Sequence, residues 1–204
     1  MAIRNVIFDF GGVLIDWDPR YVYRSLFKDD GKMEYFLAHI CTSEWNAQMD
    51  KGLSFDECIA ELSAQYPDYA EFIGYWKTKW PQMLGGQIDC GVALLDAVQK
   101  SGRYTAYGLT NWSAETFPIA FESFKFLQNL EGIVVSGEEK TIKPEKGIYL
   151  TLLERYKLNP EECLFIDDNE ANLVTARSRG IQTVLFSPRE SAAQEAARLL
   201  ELSL

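Results

Sequence analysis

Histidine is nearly absent from this 204-residue chain: His39 is the only one. A Ser-His-Asp or Cys-His mechanism would have to pass through it, yet it sits in the apolar stretch Phe36-Leu37-Ala38-His39-Ile40, and no GxSxG elbow occurs. The four cysteines (Cys41, Cys58, Cys90, Cys163) are scattered and form no CxxC pair. That spacing argues against a disulfide framework or a zinc site and for reduced, mostly buried thiols. The dinucleotide fingerprint GxGxxG is missing as well. No apolar run reaches membrane-spanning length, and the N-terminal segment is broken by Arg4 and Asp9 without a small-residue cleavage pattern. Cations are scarce: 20 Lys and Arg stand against 30 Asp and Glu, a formal charge of -10. This balance speaks against nucleic acid or anionic membrane as a partner. An anionic substrate would instead be met by local charge, for which Lys143, Arg20 and a bound metal are the candidates. The chain is expected to be cytoplasmic and to act as a monomer or small homo-oligomer.

What is present has a clear rhythm. Five short runs read as strands, apolar on both faces: Asn5–Phe10, Arg103–Leu109, Gly132–Ser136, Cys163–Ile166 and Gln182–Phe186. Helical patterns fall at Val92–Lys100, Ala114–Leu127, Lys146–Tyr156, Glu170–Arg179 and Glu190–Leu202. The alternation predicts an α/β fold, a doubly wound, Rossmann-like parallel sheet with right-handed crossovers. The segment 17–85 breaks the rhythm. It offers no convincing strand, has helix starts near Ser43, Ser54 and Pro67, and holds 14 of the chain's 27 aromatics. A structureless loop of that length is improbable in a compact domain. It is therefore read as a small helical cap inserted after the first strand, with residues 1–16 and 86–204 forming the core. Leu84-Gly85-Gly86 is the candidate hinge.

The chemistry gathers at strand ends. Asp9 closes the run Ile3, Val6, Ile7, Phe8 and is followed at once by Phe10-Gly11-Gly12. A carboxylate held where a buried strand opens into a glycine turn is rigid, and it is exposed only where open α/β sheets work. Such a carboxylate can attack phosphorus, dividing one hard displacement into two easier ones. Asp167-Asp168 follows the strand at Cys163. One aspartate would suffice to cap the next helix, whereas two adjacent carboxylates repel and suit a hard cation such as Mg²⁺, with Asp9 adding oxygen ligands. Lys143 offers a fixed ammonium for Asp9 and a transferring phosphoryl group, with Lys140 and Lys146 as competitors on sequence grounds. Pro144 is expected to set the start of the following helix. Thr110-Asn111 supplies a hydroxyl and backbone amides near a helix N-terminus, an arrangement suited to phosphate oxygens.

The ordered set resembles the haloacid dehalogenase-like (HAD) hydrolase superfamily over nearly the whole chain. Phe8-Asp9-Phe10-Gly11-Gly12-Val13-Leu14-Ile15-Asp16 is similar to its first motif, Leu109-Thr110-Asn111-Trp112-Ser113 to the second, Ile142-Lys143-Pro144 to the third and Phe165-Ile166-Asp167-Asp168-Asn169 to the fourth. The insert after the first motif resembles the subfamily I cap, and several stretches look most like bacterial glucose-1-phosphate phosphatase-like members. The resemblance implies Asp9 as a nucleophile that becomes phosphorylated. Asp9, the Gly11 carbonyl and Asp168 would ligate Mg²⁺, supported by Asp167. Thr110 and Lys143 would hold the phosphoryl oxygens while Asn111 shapes the loop. Arg20, with Trp17, Tyr21 and Tyr23 near it, is a candidate for substrate selection.

One departure matters. The family's phosphatases usually carry a second aspartate two residues after the nucleophile, as general acid and then base; here that position is Gly11. General acid–base help is typically worth about 10²–10⁴-fold. A good leaving group, another proton source or a reaction needing no acid would each answer its loss. Hence three readings stand: a Mg²⁺-dependent phosphatase for a small phosphorylated metabolite such as a sugar phosphate, a 2-haloacid dehalogenase-like hydrolase, or a catalytically weak phosphate- or metal-binding module. The acidic pair favours phosphate over halide. A receiver domain is disfavoured because its acidic pair comes first in the chain.

Overall fold

The computed structural model describes residues 2–204. Its strands are β1 (Asn5–Phe8), β2 (Ile15–Trp17), β3 (Leu84–Gln87), β4 (Thr105–Thr110), β5 (Gly132–Val135), β6 (Cys163–Asp167) and β7 (Gln182–Leu185). The helices are α1 (Arg20–Phe27), α2 (Asp30–His39), α3 (Ser43–Asp50), α4 (Phe55–Gln65), α5 (Ala70–Thr78), α6 (Asp89–Lys100), α7 (Phe117–Ser123), α8 (Ser136–Glu139), α9 (Lys146–Arg155), α10 (Glu170–Arg177) and α11 (Arg189–Leu199). None of them is long and apolar enough to cross a membrane.

Five strands form one parallel sheet in the order β5-β4-β1-β6-β7. Because side chains alternate along a strand, each strand feeds two cores. Val6 and Phe8 of β1 and Leu164 and Ile166 of β6 pack with Leu94 and Leu95 of α6 and the alanines of α11. Ile7 and Phe165 face the other way, onto Ile148 and Leu152 of α9 and Leu173 of α10. Helices on both faces explain why the strands are apolar throughout. The chain reverses its direction of travel at β1, which has β4 on one side and β6 on the other. A crevice at the carboxyl ends of these three strands is the expected binding place of such a sheet.

Between β2 and β3 the chain forms α1 to α5. Their starts obey local chemistry. The Thr42 hydroxyl accepts from Trp45 N–H, and Ser54 accepts from Glu57 N–H while bonding the Glu57 carboxylate in return. Their shared interior is aromatic: Tyr23, Phe36 and Trp76 are all shielded from solvent, with Tyr23 stacked on Trp76, Phe36 tilted against Phe27 and Trp45 edge-on to Trp76.

Several details differ from the sequence reading, among them β1, which ends at Phe8, and Ser136, which opens α8 instead of ending a strand. Segment 17–85 was expected to hold no strand, but β2 and β3 pair antiparallel at its two ends, Asp16 with Gly86 and Trp17 with Leu84. Three or four residues with two glycines are too few to show alternation. The proposed hinge glycines thus lie in a hydrogen-bonded ribbon, where Gly85 lets the Asp16 carboxylate and the Tyr21 ring come close. The helix expected at Ala114–Leu127 is split into α7 and a 3₁₀ turn at Lys125–Asn129. Pro118 fits only the first turn and so fixes a late start. Pro144 does not open α9, which starts at Lys146 after an extended Glu145; the Lys143–Pro144 peptide is cis. Thr110 and Asp167 are the last residues of their strands, one step further along than expected.

Candidate active site at the switch point of the sheet

Asp9 stands just beyond β1, its N–H still bonded to the Ile166 carbonyl of the neighbouring strand at 2.9 Å. The next residues fold back tightly, with Leu14 and Ile15 N–H groups both donating to the Phe10 carbonyl. Gly12 makes this turn possible: its φ is +75°, and a β-carbon there would lie 2.0 Å from Oδ2 of Asp168. Motif one is thereby pressed against motif four. The carboxylates of Asp9, Asp167 and Asp168 each offer an oxygen within 4.8 Å of the others.

Lys143 is 2% exposed, and its Nζ lies 2.8 Å from Asp9 Oδ1 and 2.7 Å from Asp167 Oδ2. Asn111 fixes the backbone that carries it. Lys143 N–H donates to Asn111 Oδ1 at 2.8 Å, and Asn111 Nδ2 donates to the Lys143 carbonyl at 2.9 Å. Asp167 is wholly buried and also accepts from Asn172 Nδ2 and, at 2.8 Å, from Asn169 N–H. Tyr149 in turn holds the Asn172 carbonyl at 2.9 Å. The lysine is therefore immobilised at both its backbone and its head.

Three carboxylates share one ammonium in this place, and their titration reflects it. Burial pushes the Asp9 carboxyl up to about 8; Lys143 pulls against this, and the charges of Asp167 and Asp168 add to it. Burial works against the Lys143 ammonium too, but Asp167 and Asp9 more than offset that, leaving its pKa above the ordinary value. Asp168, at the rim, is raised by desolvation and by the charge of Asp167. A cluster so rich in negative charge suits a divalent cation, which would restore the ionised form of Asp9. At the end of β4, the strand next to β1, the Thr110 hydroxyl is buried and has no hydrogen-bond partner among the described residues, although Thr110 is not among the residues that line the cavity at this site. An orphaned donor of this kind fits a phosphoryl oxygen.

Asp9, Gly11, Lys143, Asp168 and Asn111 line a cavity of about 240 Å³. Its far wall comes from the insert and its junction: Trp17, Asn46, Asp50 and Trp80, facing Trp112 of the β4 loop. Among the described residues, the indole N–H groups of Trp17 and Trp112 are buried without partners. Sequence reasoning missed Asn172, Asn46 and Asp50. Asn172 had a faint signal, five residues past Asp167 on the facing side of α10, whereas the other two are delivered by the insert's tertiary placement.

Arg20 requires a correction. It does not line the cavity; its guanidinium is paired with Glu34 at 2.6 Å and with Asp18 at 3.3 Å. Of its neighbours only Trp17 reaches the cavity, since Tyr21 bonds Asp16 and Tyr23 bonds the Phe72 carbonyl inside the insert. His39 is exposed and packs on Tyr35, away from the site. All four cysteines are free.

Comparison with known proteins agrees with this arrangement. The chain is similar to sesquiterpene phosphatase AstK of Aspergillus oryzae, with 27% identity covering 88% of each protein. It is 25% identical over 95% of its length to drimenol cyclase DrtB of Aspergillus calidoustus, but it spans only 36% of that protein. Likewise it spans 18% of rat bifunctional epoxide hydrolase 2. Among solved structures, a predicted HAD-like hydrolase of Porphyromonas gingivalis has the same fold, with a TM-score of 0.74, 22% identity and 98% coverage of both chains. A HAD family enzyme of Bacteroides thetaiotaomicron, crystallised with magnesium and inorganic phosphate, matches with a TM-score of 0.67 at 23% identity, over 90% of this chain and 94% of that one. The family profile of the haloacid dehalogenase-like hydrolases matches residues 6–186, from β1 to the end of the sheet, and the chain belongs to that family.

Proposed function

We propose that the protein is a Mg²⁺-dependent phosphatase that hydrolyses a small phosphorylated metabolite, such as a sugar phosphate, through a phosphoryl group carried on Asp9. The observation that carries this reading is the clasp of Lys143 between Asp9 and Asp167, with Asp168 beside it and the orphaned Thr110 hydroxyl at the next strand end. The phosphatase name of AstK and the magnesium–phosphate complex of the Bacteroides enzyme support it. A cavity of about 240 Å³ suits a small substrate.

In this reading Asp9 attacks phosphorus in line as the bond to the leaving oxygen breaks. Lys143 and Thr110 hold the phosphoryl oxygens, and Asn111 keeps Lys143 in place. Water then attacks the aspartyl-phosphate and releases inorganic phosphate. Mg²⁺, held by Asp9, the Gly11 carbonyl and Asp168, would neutralise charge on the phosphoryl group. Asp167, whose oxygens accept from Lys143, Asn172 and Asn169, would support the cation site by holding Lys143 in place. Segment 17–85 acts as a cap that excludes bulk water and selects the substrate.

The test is phosphate release from a panel of sugar phosphates and p-nitrophenyl phosphate. Turnover should require Mg²⁺, vanish in EDTA and fall by about 10⁴-fold or more in Asp9→Asn. Wild-type turnover in that variant, or halide release from 2-haloacids that persists in EDTA, would sink the reading.

A further inference from the structure

A phosphatase acting on alkyl phosphates must protonate a poor leaving group, and position 11 cannot do so. Gly11 lines the cavity, and the space its side chain would enter is open, with no atom within 4 Å of a β-carbon built there. The chain's one histidine is exposed on the insert. Among the described residues, the ionisable groups lining the cavity are Asp9, Lys143, Asp168 and Asp50. The first three already have work in the reading above. Asp50 has none.

Asp50 is the last residue of α3 and reaches the cavity from the insert, across from the motifs of the sheet. It is held with unusual care. Asn46, one turn earlier, donates Nδ2 to Asp50 Oδ2 at 2.8 Å, and the Ser113 N–H bonds the same carboxyl. Its carbonyl accepts from the buried Ser136 hydroxyl at 2.5 Å, and the same hydroxyl accepts from Trp112 N–H at 2.9 Å. Asp50 is thus fastened to the loop that carries Thr110 and Asn111. Among the described residues no cation pairs with it, whereas Lys143 pairs with both Asp9 and Asp167.

We infer that Asp50 is the general acid–base of this enzyme, donated by the cap in place of the aspartate that Gly11 lacks. The inference rests on the phosphatase reading. In the first step the P–O bond to the leaving group breaks, its electron pair stays on the leaving oxygen, and that oxygen takes the Asp50 proton to depart as a neutral alcohol, while Asp9 gains phosphorus. In the second step the Asp50 carboxylate takes a proton from the water that attacks phosphorus, Asp9 departs as a carboxylate, and Asp50 is protonated again. Burial raises the Asp50 carboxyl to about 7, the Ser113 amide opposing, so that it can both give and take a proton near neutrality. This links cap closure to catalysis: the acid is present only when the insert sits on the Thr110 loop.

The test compares kcat/KM for a hexose phosphate or glycerol phosphate with that for p-nitrophenyl phosphate, whose leaving group needs no proton. Asp50→Asn should lower the alkyl-to-aryl ratio by about 10²-fold or more. Gly11→Asp in the Asp50→Asn background should recover much of that ratio, because the added side chain enters open space beside the nucleophile. A second measurement avoids variants altogether. Wild-type kcat/KM over a series of aryl and alkyl phosphates should depend only weakly on leaving-group pKa. Equal losses on both substrate types in Asp50→Asn, a steep wild-type dependence, or wild-type turnover of aryl phosphates alone would each overturn the role of Asp50. Absence of any wild-type turnover with Mg²⁺ would instead overturn the phosphatase reading beneath it.

Discussion

Lys143 is buried between Asp9 and Asp167, and neither carboxylate has another cation among the described residues. Such pairs rarely add net stability, since desolvation offsets the attraction, which accords with the role proposed for this one in the chemistry. Asp50 carries the same sense on the other wall of the cavity. Its carboxyl is raised from the ordinary 3.8 to about 7, mainly by burial. Between about pH 4 and pH 7 the folded chain therefore holds more protons at this residue than the unfolded chain, and its contribution to stability is lost as pH rises through that window. Asp50→Asn removes the titration, and other groups cancel in the comparison. Relative to wild type, the variant's unfolding free energy from urea titration should rise on the order of 2–4 kcal/mol between about pH 4 and pH 8. A difference that does not change with pH would show that the carboxyl carries no such burden.

At the scale of elements, the contact of α3 with the core decides whether the cavity is complete. Two kinds of contact hold it. Lys51, next to Asp50, pairs with Glu145 at 2.6 Å, but both side chains are nearly half exposed. Ser136, at the start of α8, is wholly buried and joins the Asp50 carbonyl to the Trp112 amide. An exposed pair contributes about 0–1 kcal/mol, whereas a buried group left unsatisfied costs about 1–3 kcal/mol. Ser136→Ala is thus expected to destabilise more than Lys51→Ala, and to lower turnover as well. Thermal unfolding with parallel kinetics checks this, and a larger loss from Lys51→Ala would contradict it. Elements were also where the sequence was hardest to read. The β2–β3 ribbon pairs residues about seventy positions apart through strands too short to show a period, and Pro118 moved the start of α7 by only a few residues.

Over the whole molecule, the order of strand ends was legible because a parallel sheet buried on both faces writes its strands as apolar runs, and the switch point follows from topology. Asp9, Asn111, Lys143, Asp167 and Asp168 were singled out that way, and contacts in the structure join them, while Thr110 ends the strand beside β1 without lining the cavity. Arg20 was misread because its partner Glu34 lies on a neighbouring helix, a pairing no local pattern announces. Asp50 was overlooked for the converse reason: an aspartate at a helix end looks like a surface residue until the packing of the insert turns it inward. The most direct measurement is acid quench of the enzyme during turnover of p-nitrophenyl phosphate with Mg²⁺, followed by peptide mass mapping. The expected result is one added phosphoryl group on the peptide that contains Asp9, absent in EDTA and in Asp9→Asn. Full turnover with that peptide unmodified at every quench time would contradict the account.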